Sequence, residues 1–226
     1  MDQTVDPSPA KAPSRIRLEG RLVTIVPLDP VAHADSLYQG SHGDEKNGLW
    51  RYLFDGPYPS RSAFDASLKQ KAASEDPLYF AILDNRSSLA VGQAAYLRIT
   101  PAHRVIEVGA ILFTPTIQKT AGATEAMYLM ARHAFEDLGN RRYEWKCDAL
   151  NAPSRRAALR LGFQFEGIFR QHMIIKGRNR NTAWFAMLDR DWPRIKANFE
   201  RWLDPANFDS AGNQKISLSA LNAQTT

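Results

Sequence analysis

The sequence has almost no cysteine, with Cys147 the single one among 226 residues. One thiol cannot close a disulfide within the chain or supply a thiolate cluster for zinc or iron–sulfur. The five histidines lack the spacing of metal ligands, so we expect no metal. The nucleophile elbow of serine hydrolases, the Walker phosphate loop and the dinucleotide fingerprint are missing as well. The sequence therefore offers no support for these kinds of site.

Long apolar runs are also missing. Residues 1–15 contain none, so we expect no secretory signal. Stretches such as residues 89–97 fall far short of the roughly 20 residues that span a bilayer. With 44% hydrophobic residues, the chain still has enough apolar material for a core. The sequence predicts a soluble, cytoplasmic protein of ordinary domain size that needs no membrane.

The formal net charge of +5 is unevenly distributed. Residues 1–15 and 205–226 each sum to zero and show no amphipathic period. We therefore predict two mobile tails around a domain at residues 16–204. Residues 153–180 carry seven bases against one acid, Glu166. This basic segment could bind a phosphate-bearing ligand or nucleic acid, or its charge could have no binding role.

Periodicity predicts one α/β (mixed α+β) domain. The strands are predicted at residues 22–28, 78–83, 89–99, 105–113, 143–147, 163–176 and 182–188. The helices are predicted at residues 31–40, 62–73, 123–138, 151–162 and 191–202. Short turns between successive strands favour antiparallel pairing, and the later strand–helix–strand run makes the sheet mixed.

Two strand-to-helix turns are candidate binding segments. In residues 118–123 (QKTAGA), unpaired backbone N–H groups at the positive end of a helix dipole would favour a phosphate, although a plain turn has the same sequence. Asn151 and Ser154 begin the next helix, where Asn151 is typical of an N-cap. These two residues either only cap the helix or also project polar groups into a cleft. Cys147 is interpreted as a small core residue rather than a nucleophile.

The order of these pieces resembles the GNAT family of acyl-coenzyme A-dependent N-acyltransferases, over residues 16 to about 203. The resemblance is carried by Glu107 on a strand, Gln118-x-x-x-Gly122-Ala123, Asn151-x-x-Ser154 and Leu161-Gly162-Phe163. Residues 123–126 (ATEA), 146–156 (KCDALNAPSRR) and 177–184 (GRNRNTAW) are similar to the branch that includes ribosomal-protein N-terminal (alanine/serine) acetyltransferases.

The resemblance implies a single domain with a largely antiparallel mixed sheet, flanked by helices, and a central pair of parallel strands that splay apart. The pantetheine arm of coenzyme A would lie between these strands, here those ending near Phe113 and Ala149, and pair with their free main-chain groups. Ala121 stands where the family commonly has another glycine; its N–H donor survives if its φ is negative. The implied cofactor-binding residues are Leu112, Phe113, Gln118, Lys119, Thr120, Gly122, Ala123, Asn151, Ser154 and Arg156.

The implied activity is N-acetylation of a primary amine by direct attack on acetyl-CoA in a ternary complex. The amine could be a small metabolite, an amino acid or a peptide N-terminus. Glu107 is the candidate base for the ammonium proton, the alternatives being a water chain or a purely structural charge. Ser154 is the candidate that would donate a hydrogen bond to the thiolate leaving group or relay a proton to it through water, because Ala158 stands where many members have a tyrosine. A homodimer is a family expectation only.

The acceptor pocket is expected among residues 31–75 and the final hairpin, and four aromatic residues could wall it: Trp50, Tyr52, Phe54 and Tyr58. Arg155, Arg156 and Arg160 would lie beside the cofactor cleft, where the phosphates of coenzyme A suit cations. Arg170, Lys176, Arg178 and Arg180 could instead face an acidic substrate or partner.

Two alternative functions stay open. The basic segment at residues 153–180 could make the chain a non-catalytic RNA- or ribosome-binding module, although no nucleic-acid motif accompanies it and nucleic acid is not the expected partner. The chain could also be a degenerate acyltransferase that binds the cofactor without turnover.

Overall fold

A computed structural model describes residues 4–223. Its strands are β1 Leu18–Glu19, β2 Val23–Pro27, β3 Leu78–Asp84, β4 Ala90–Thr100, β5 Val105–Phe113, β6 Arg142–Asp148, β7 Gln164–Ile175 and β8 Arg178–Leu188. Its α-helices are α1 Pro30–Ser41, α2 Arg61–Ala73, α3 Ala121–Arg132, α4 Ala152–Arg160, α5 Trp192–Leu203 and α6 Leu218–Ala223. Shorter helical turns lie at Asp44–Trp50, Pro101–His103, His133–Asp137 and Pro205–Asn207. Apart from β1, α6 and the short turns, which the sequence did not predict, the predicted order of elements is confirmed to within a few residues.

The strands form one mixed sheet in the order β1-β2-β3-β4-β5-β6-β8-β7. Neighbours are antiparallel except β5 and β6, which run parallel and pair at three positions ending with Glu107 opposite Glu144. Beyond Glu107, β5 continues along β4 to Phe113, while β6 continues along β8 to Asp148. The two strands therefore part in the middle of the sheet, and the predicted splayed parallel pair is confirmed.

Side-chain alternation along the strands gives the sheet two covered faces. Helices α3, α4, α5 and α6 cover one face, where Phe80, Tyr143 and Phe185 are buried. Helices α1 and α2 and the turn Asp44–Trp50 cover the other face, where Ala81 and Leu112 are buried. We call these the α3 face and the α1 face. Among residues 4–223, no helix has the length and apolar character to span a membrane.

The C-terminal segment packs against the domain instead of forming the mobile tail that the sequence predicts. Leu218 and Leu221 are buried in the core cluster of the α3 face, where α6 contacts α5 and α4. Trp202 Nε1 also donates to Gln214 Oε1 at 2.8 Å. Two leucines in an otherwise polar stretch are too short a pattern to reveal an amphipathic helix. The domain therefore extends beyond residue 204.

Part of the predicted N-terminal tail also lies against the domain. The backbone N–H of Ala10 donates to the carbonyl of Pro101 at 3.0 Å, and that of Lys11 donates to the carbonyl of Leu138 at 2.8 Å. Arg15 Nη1 lies 2.5 Å from the carboxylate of Glu75. These contacts tie residues 10–15 to three separate elements of the fold.

We predict that Leu218→Ala lowers the free energy of unfolding by about 2–5 kcal/mol, because it leaves a cavity at a fully buried position. Equilibrium unfolding in urea measures the change. Ser219→Ala, at the exposed neighbouring position, is the control and should alter stability by no more than about 0.5 kcal/mol. An unchanged midpoint for Leu218→Ala would contradict the packing of α6.

Candidate active site

A cavity of about 1850 Å³ occupies the opening between β5 and β6 and reaches both faces of the sheet. On the α3 face, its walls are the starts of α3 and α4 and part of the C-terminal segment, including Phe208 and Gln214. On the α1 face, its walls include Tyr52 and side chains from β7 and β8. The cavity is therefore a passage through the sheet rather than a dead end.

The passage brings together nearly all the residues predicted for the site. Those that line it are Glu107, Leu112, Phe113, Gln118, Lys119, Thr120, Ala123, Asn151, Ser154 and Arg156. Gly122 does not line it. A Cβ on Gly122 would lie 3.1 Å from Cγ1 of Val23, so this glycine lets α3 approach β2 closely. Its backbone N–H nevertheless remains one of the first donors of α3.

The start of α3 offers backbone donors to the passage. Thr120 Oγ1 donates to the carbonyl of Ile117 at 2.7 Å and accepts from the N–H of Ala123 at 3.2 Å, which caps the helix. The N–H groups of Ala121 and Gly122 have no helical acceptor because of their position in the first turn. Ala121 has a negative φ, which alanine adopts as readily as glycine. Its backbone N–H is therefore available as a donor, as that of a glycine would be. This arrangement suits an anion.

The side chain of Gln118 is not free to contact an anion. Its Nε2 donates to the carbonyl of Phe113 at 2.9 Å, so the side chain closes the turn between β5 and α3. Lys119 adopts a left-handed conformation (φ +61°) in that turn. Both residues line the passage, but the side chain of Gln118 is engaged in holding the loop.

Cations surround the same mouth of the passage. They are Arg21, Lys119, Arg156 and Arg160. Arg160 Nη1 donates to Thr124 Oγ1 at 3.0 Å, which fixes its guanidinium beside the start of α3. Arg155, predicted to join this group, instead lies over the ring of Phe165 at 5.7 Å. The front of the basic segment therefore supplies two of its three arginines to the passage.

The start of α4 shows that capping and cavity lining occur together. Asn151 Oδ1 accepts from the N–H of Ser154 at 3.1 Å, which leaves its amide nitrogen out of the cap. Ser154 Oγ accepts from Trp145 Nε1 at 3.0 Å, so its hydroxyl proton can be donated elsewhere. Both residues also line the passage. The two interpretations that the sequence left open are therefore compatible.

Glu107 lies where β5 and β6 part, with 3% of the residue exposed. Its Oε2 is 2.6 Å from Lys146 Nζ and 3.5 Å from Arg98 Nε. Burial raises the pKa of Glu107 to about 7, although Lys146 and Arg98 act to lower it. Burial also disfavours the charged form of Lys146, and therefore lowers the pKa of this amine. A carboxyl group with a pKa near 7 is matched to proton transfer near neutral pH.

A second buried carboxylate, Glu144, lies beside Glu107 on the neighbouring strand. Arg142 Nε is 2.7 Å from Glu144 Oε1, and Arg98 Nε is 3.5 Å from Glu144 Oε2. Arg98 is therefore shared by the two carboxylates, while the charge of Glu144 adds to the raised pKa of Glu107. The sequence reasoning missed this cluster, because its members come from three different strands.

The predicted aromatic wall is half the expected size. Tyr52 and Phe54 line the passage, with Phe54 55% exposed. Trp50 is fully buried, and its Nε1 donates to the carbonyl of Ser41 at 2.8 Å. Tyr58 packs against the rings of Trp50 and His42 in the core of the α1 face. Core packing and cavity lining produce the same sequence pattern, so the sequence could not separate them.

Arg180 and Thr182 of β8 line the passage on the α1 face. Arg180, Thr182 and Trp184 alternate along the strand and therefore share a face with Lys146 of β6. Lys146 Nζ is 4.5 Å from the ring centre of Trp184. His172 Nδ1 of β7 is 2.9 Å from Thr182 Oγ1. The alternation of side chains along β8 could have shown from sequence that these residues share a face. It could not have shown that this face lines the passage.

Comparisons with known proteins agree with this architecture. A family model described as an acetyltransferase (GNAT) domain matches residues 23–164. The solved structure of a GCN5-related N-acetyltransferase from Brucella melitensis is 46% identical, with a TM-score of 0.94, and the match covers 96% of this chain and 98% of that chain. A GNAT-family acetyltransferase structure from Chromobacterium violaceum ATCC 12472 is 36% identical, with a TM-score of 0.77, covering 85% and 100%.

More distant structures share the fold alone. One from Vibrio cholerae, described as a ribosomal-protein-serine acetyltransferase, is 18% identical, with a TM-score of 0.65, covering 76% of this chain and 97% of that chain. No curated protein matches the sequence. The family match and the two closer structures confirm the resemblance that the motifs indicated: the chain belongs to the GNAT acetyltransferase family.

Proposed function

We propose that this chain is an N-acetyltransferase that moves an acetyl group from acetyl-CoA to a primary amine. The GNAT family uses acetyl-CoA for acyl transfer. The observation that carries the proposal is the position of Glu107 at the point where the opening between β5 and β6 closes. A ligand that fills the opening would bring its end to this carboxyl group, whose pKa is about 7.

The residues at the α3 face fit coenzyme A. The backbone donors at the start of α3 would hold its pyrophosphate, and Arg156 and Arg160 would neutralise phosphate groups. The unpaired main-chain groups of the diverging strands would bond the amides of the pantetheine arm, with Asn151 beside it. When bound, acetyl-CoA supplies the activated acyl group and a thiolate leaving group.

The chemistry assigned to this chain's residues is proton transfer at two positions. Glu107 accepts a proton from the ammonium group, after which the neutral nitrogen attacks the acyl carbon, forming a C–N bond and breaking the C–S bond. The amine loses two protons; one is released to solvent through Glu107, and the other ends on the sulfur. Ser154 donates a hydrogen bond to that sulfur. Cys147 is buried, and burial raises the pKa of its thiol, so no covalent enzyme step is assigned to it.

The direct test is binding and turnover with acetyl-CoA. We expect heat of binding in calorimetry at micromolar acetyl-CoA, and release of free thiol when a panel of amino acids, simple amines and short peptides is supplied. Reactions without amine give the hydrolysis background. No binding at high micromolar acetyl-CoA would contradict the proposal, whereas binding without turnover on any amine would favour a degenerate enzyme.

Glu107→Gln should remove the base while keeping the side-chain shape. At about pH 7.5, where Glu107 is mostly ionised and the amine is mostly protonated, we expect kcat/KM to fall by roughly 10²–10⁴-fold. The wild-type rate should decline as the pH falls through about 7, because Glu107 becomes protonated. The variant should lack this limb, and its deficit should shrink above the pKa of the amine. Glu19→Gln, at an exposed glutamate, is the control; pH profiles of identical shape for Glu107→Gln and wild type would remove Glu107 from the mechanism.

Asn151→Ser separates capping from cofactor binding. Serine is as good an N-cap as asparagine, but its shorter hydroxyl does not extend as far as the amide nitrogen. We expect an unchanged melting temperature and a Kd for acetyl-CoA raised roughly 3–10-fold, which corresponds to one hydrogen bond of about 0.5–1.5 kcal/mol. Asn151→Ala should show the same loss of affinity together with about 0.5–2 kcal/mol of destabilisation. If calorimetry gave the same Kd for the wild type, Asn151→Ser and Asn151→Ala, Asn151 would not contact the pantetheine arm.

A further inference from the structure

Arg180 is a buried cation that the proposed chemistry does not use. It lies on β8 at the wall of the passage on the α1 face, with 7% of the residue exposed. Within residues 4–223, no Asp or Glu forms an ion pair with its guanidinium, and its buried Nε has no hydrogen-bond acceptor. The guanidinium lies 4.8 Å from the ring centre of Phe54, which limits its orientation.

Two lysines that line the passage have carboxylate partners, unlike Arg180. Lys146 Nζ is 2.6 Å from Glu107, and Lys71 Nζ is 2.7 Å from Asp55. A buried charge without a partner is costly, because it loses hydration without gaining a counter-ion. Burial accordingly lowers the pKa of Arg180, and Asp148 and Glu107 oppose this only through longer-range attraction. The fold therefore supplies no anion to pair with this guanidinium.

The missing anion does not belong to the phosphates of coenzyme A. Those phosphates fit the backbone donors and arginines at the mouth on the α3 face, whereas Arg180 points to the α1 face. Glu107 shares this α1 face, and its charge acts on Arg180. A substrate entering from this side would therefore meet a carboxylate base and an unpaired guanidinium together.

We infer that the acceptor of this enzyme is an amine that also carries a carboxylate, with the ammonium group at Glu107 and the carboxylate at Arg180. This inference rests on the proposed function and narrows its substrate class. Guanidinium and carboxylate groups form bidentate pairs, so Arg180 selects as well as attracts. The carboxylate is either that of a free amino acid or that of an acidic side chain near a peptide N-terminus.

Stability separates a binding role from a structural one. Arg180→Met replaces the charge with an apolar side chain of comparable length. We expect an unchanged or higher melting temperature for the ligand-free protein, because an unpaired buried charge is removed. A melting temperature several degrees lower would mean that Arg180 supports the fold, and it would overturn the inference.

Binding tests the anion site independently of turnover. The probes are matched pairs, each an N-acetyl amino acid and its carboxamide, titrated calorimetrically into the enzyme with coenzyme A present. In at least one pair, the wild type should bind the carboxylate form tenfold or more tightly, and Arg180→Met should abolish the difference. Arg178→Gln, at an exposed position of the same strand, should keep it. The inference is wrong if no pair shows this preference or if Arg180→Met retains it.

Turnover then identifies the source of the carboxylate. Each amino acid is compared with its decarboxylated amine, and peptides beginning with Asp or Glu are compared with those beginning with Asn or Gln. A preference of tenfold or more in kcat/KM for the acidic member, lost in Arg180→Met, assigns the source to whichever set shows it. Equal rates within every pair would contradict the inference. Failure to bind acetyl-CoA would contradict the proposed function instead, and the stability measurement would still report on Arg180.

Discussion

The parting of β5 and β6 after Glu107 is the constraint on which the rest of the molecule depends. Each strand keeps its outer neighbour, β4 or β8, so the sheet stays intact on both sides of the opening. The inner edges, however, hold main-chain groups without strand partners, which is unfavourable unless another molecule bonds them. The helix starts at Thr120 and Asn151 and the carboxyl group of Glu107 are arranged around this one gap.

Local sequence patterns could predict much of the fold, together with the strands and helix starts that line the passage. Alternation placed β5 and β6, the three- and four-residue apolar spacing placed α3, and the N-cap residue Asn151 placed the start of α4, because those features depend on neighbours along the chain. The cluster of Arg98, Glu107 and Glu144 could not be predicted in this way. Its contacts depend on the register between strands that are far apart in sequence, which a period-two pattern does not contain.

The basic segment shows the same limit for charge. In the sequence, residues 153–180 form one positively charged stretch. In the structure, their cationic side chains lie in three different environments. Arg156 lines the mouth on the α3 face, Arg180 is buried at the α1 face, and Lys176 Nζ donates to the carbonyl of Trp50 at 2.8 Å. A net charge therefore indicates an affinity for anions without showing which side of the sheet receives them.

A passage with two mouths has a kinetic consequence. In a pocket with a single entrance, the first ligand to arrive can seal the route of the second and so impose an order of addition. Under the proposed function, acetyl-CoA would enter at the α3 face and the amine at the α1 face, and the two would meet at Glu107. With separate entrances, neither substrate would block the route of the other, and each product would leave by the side from which its parent entered.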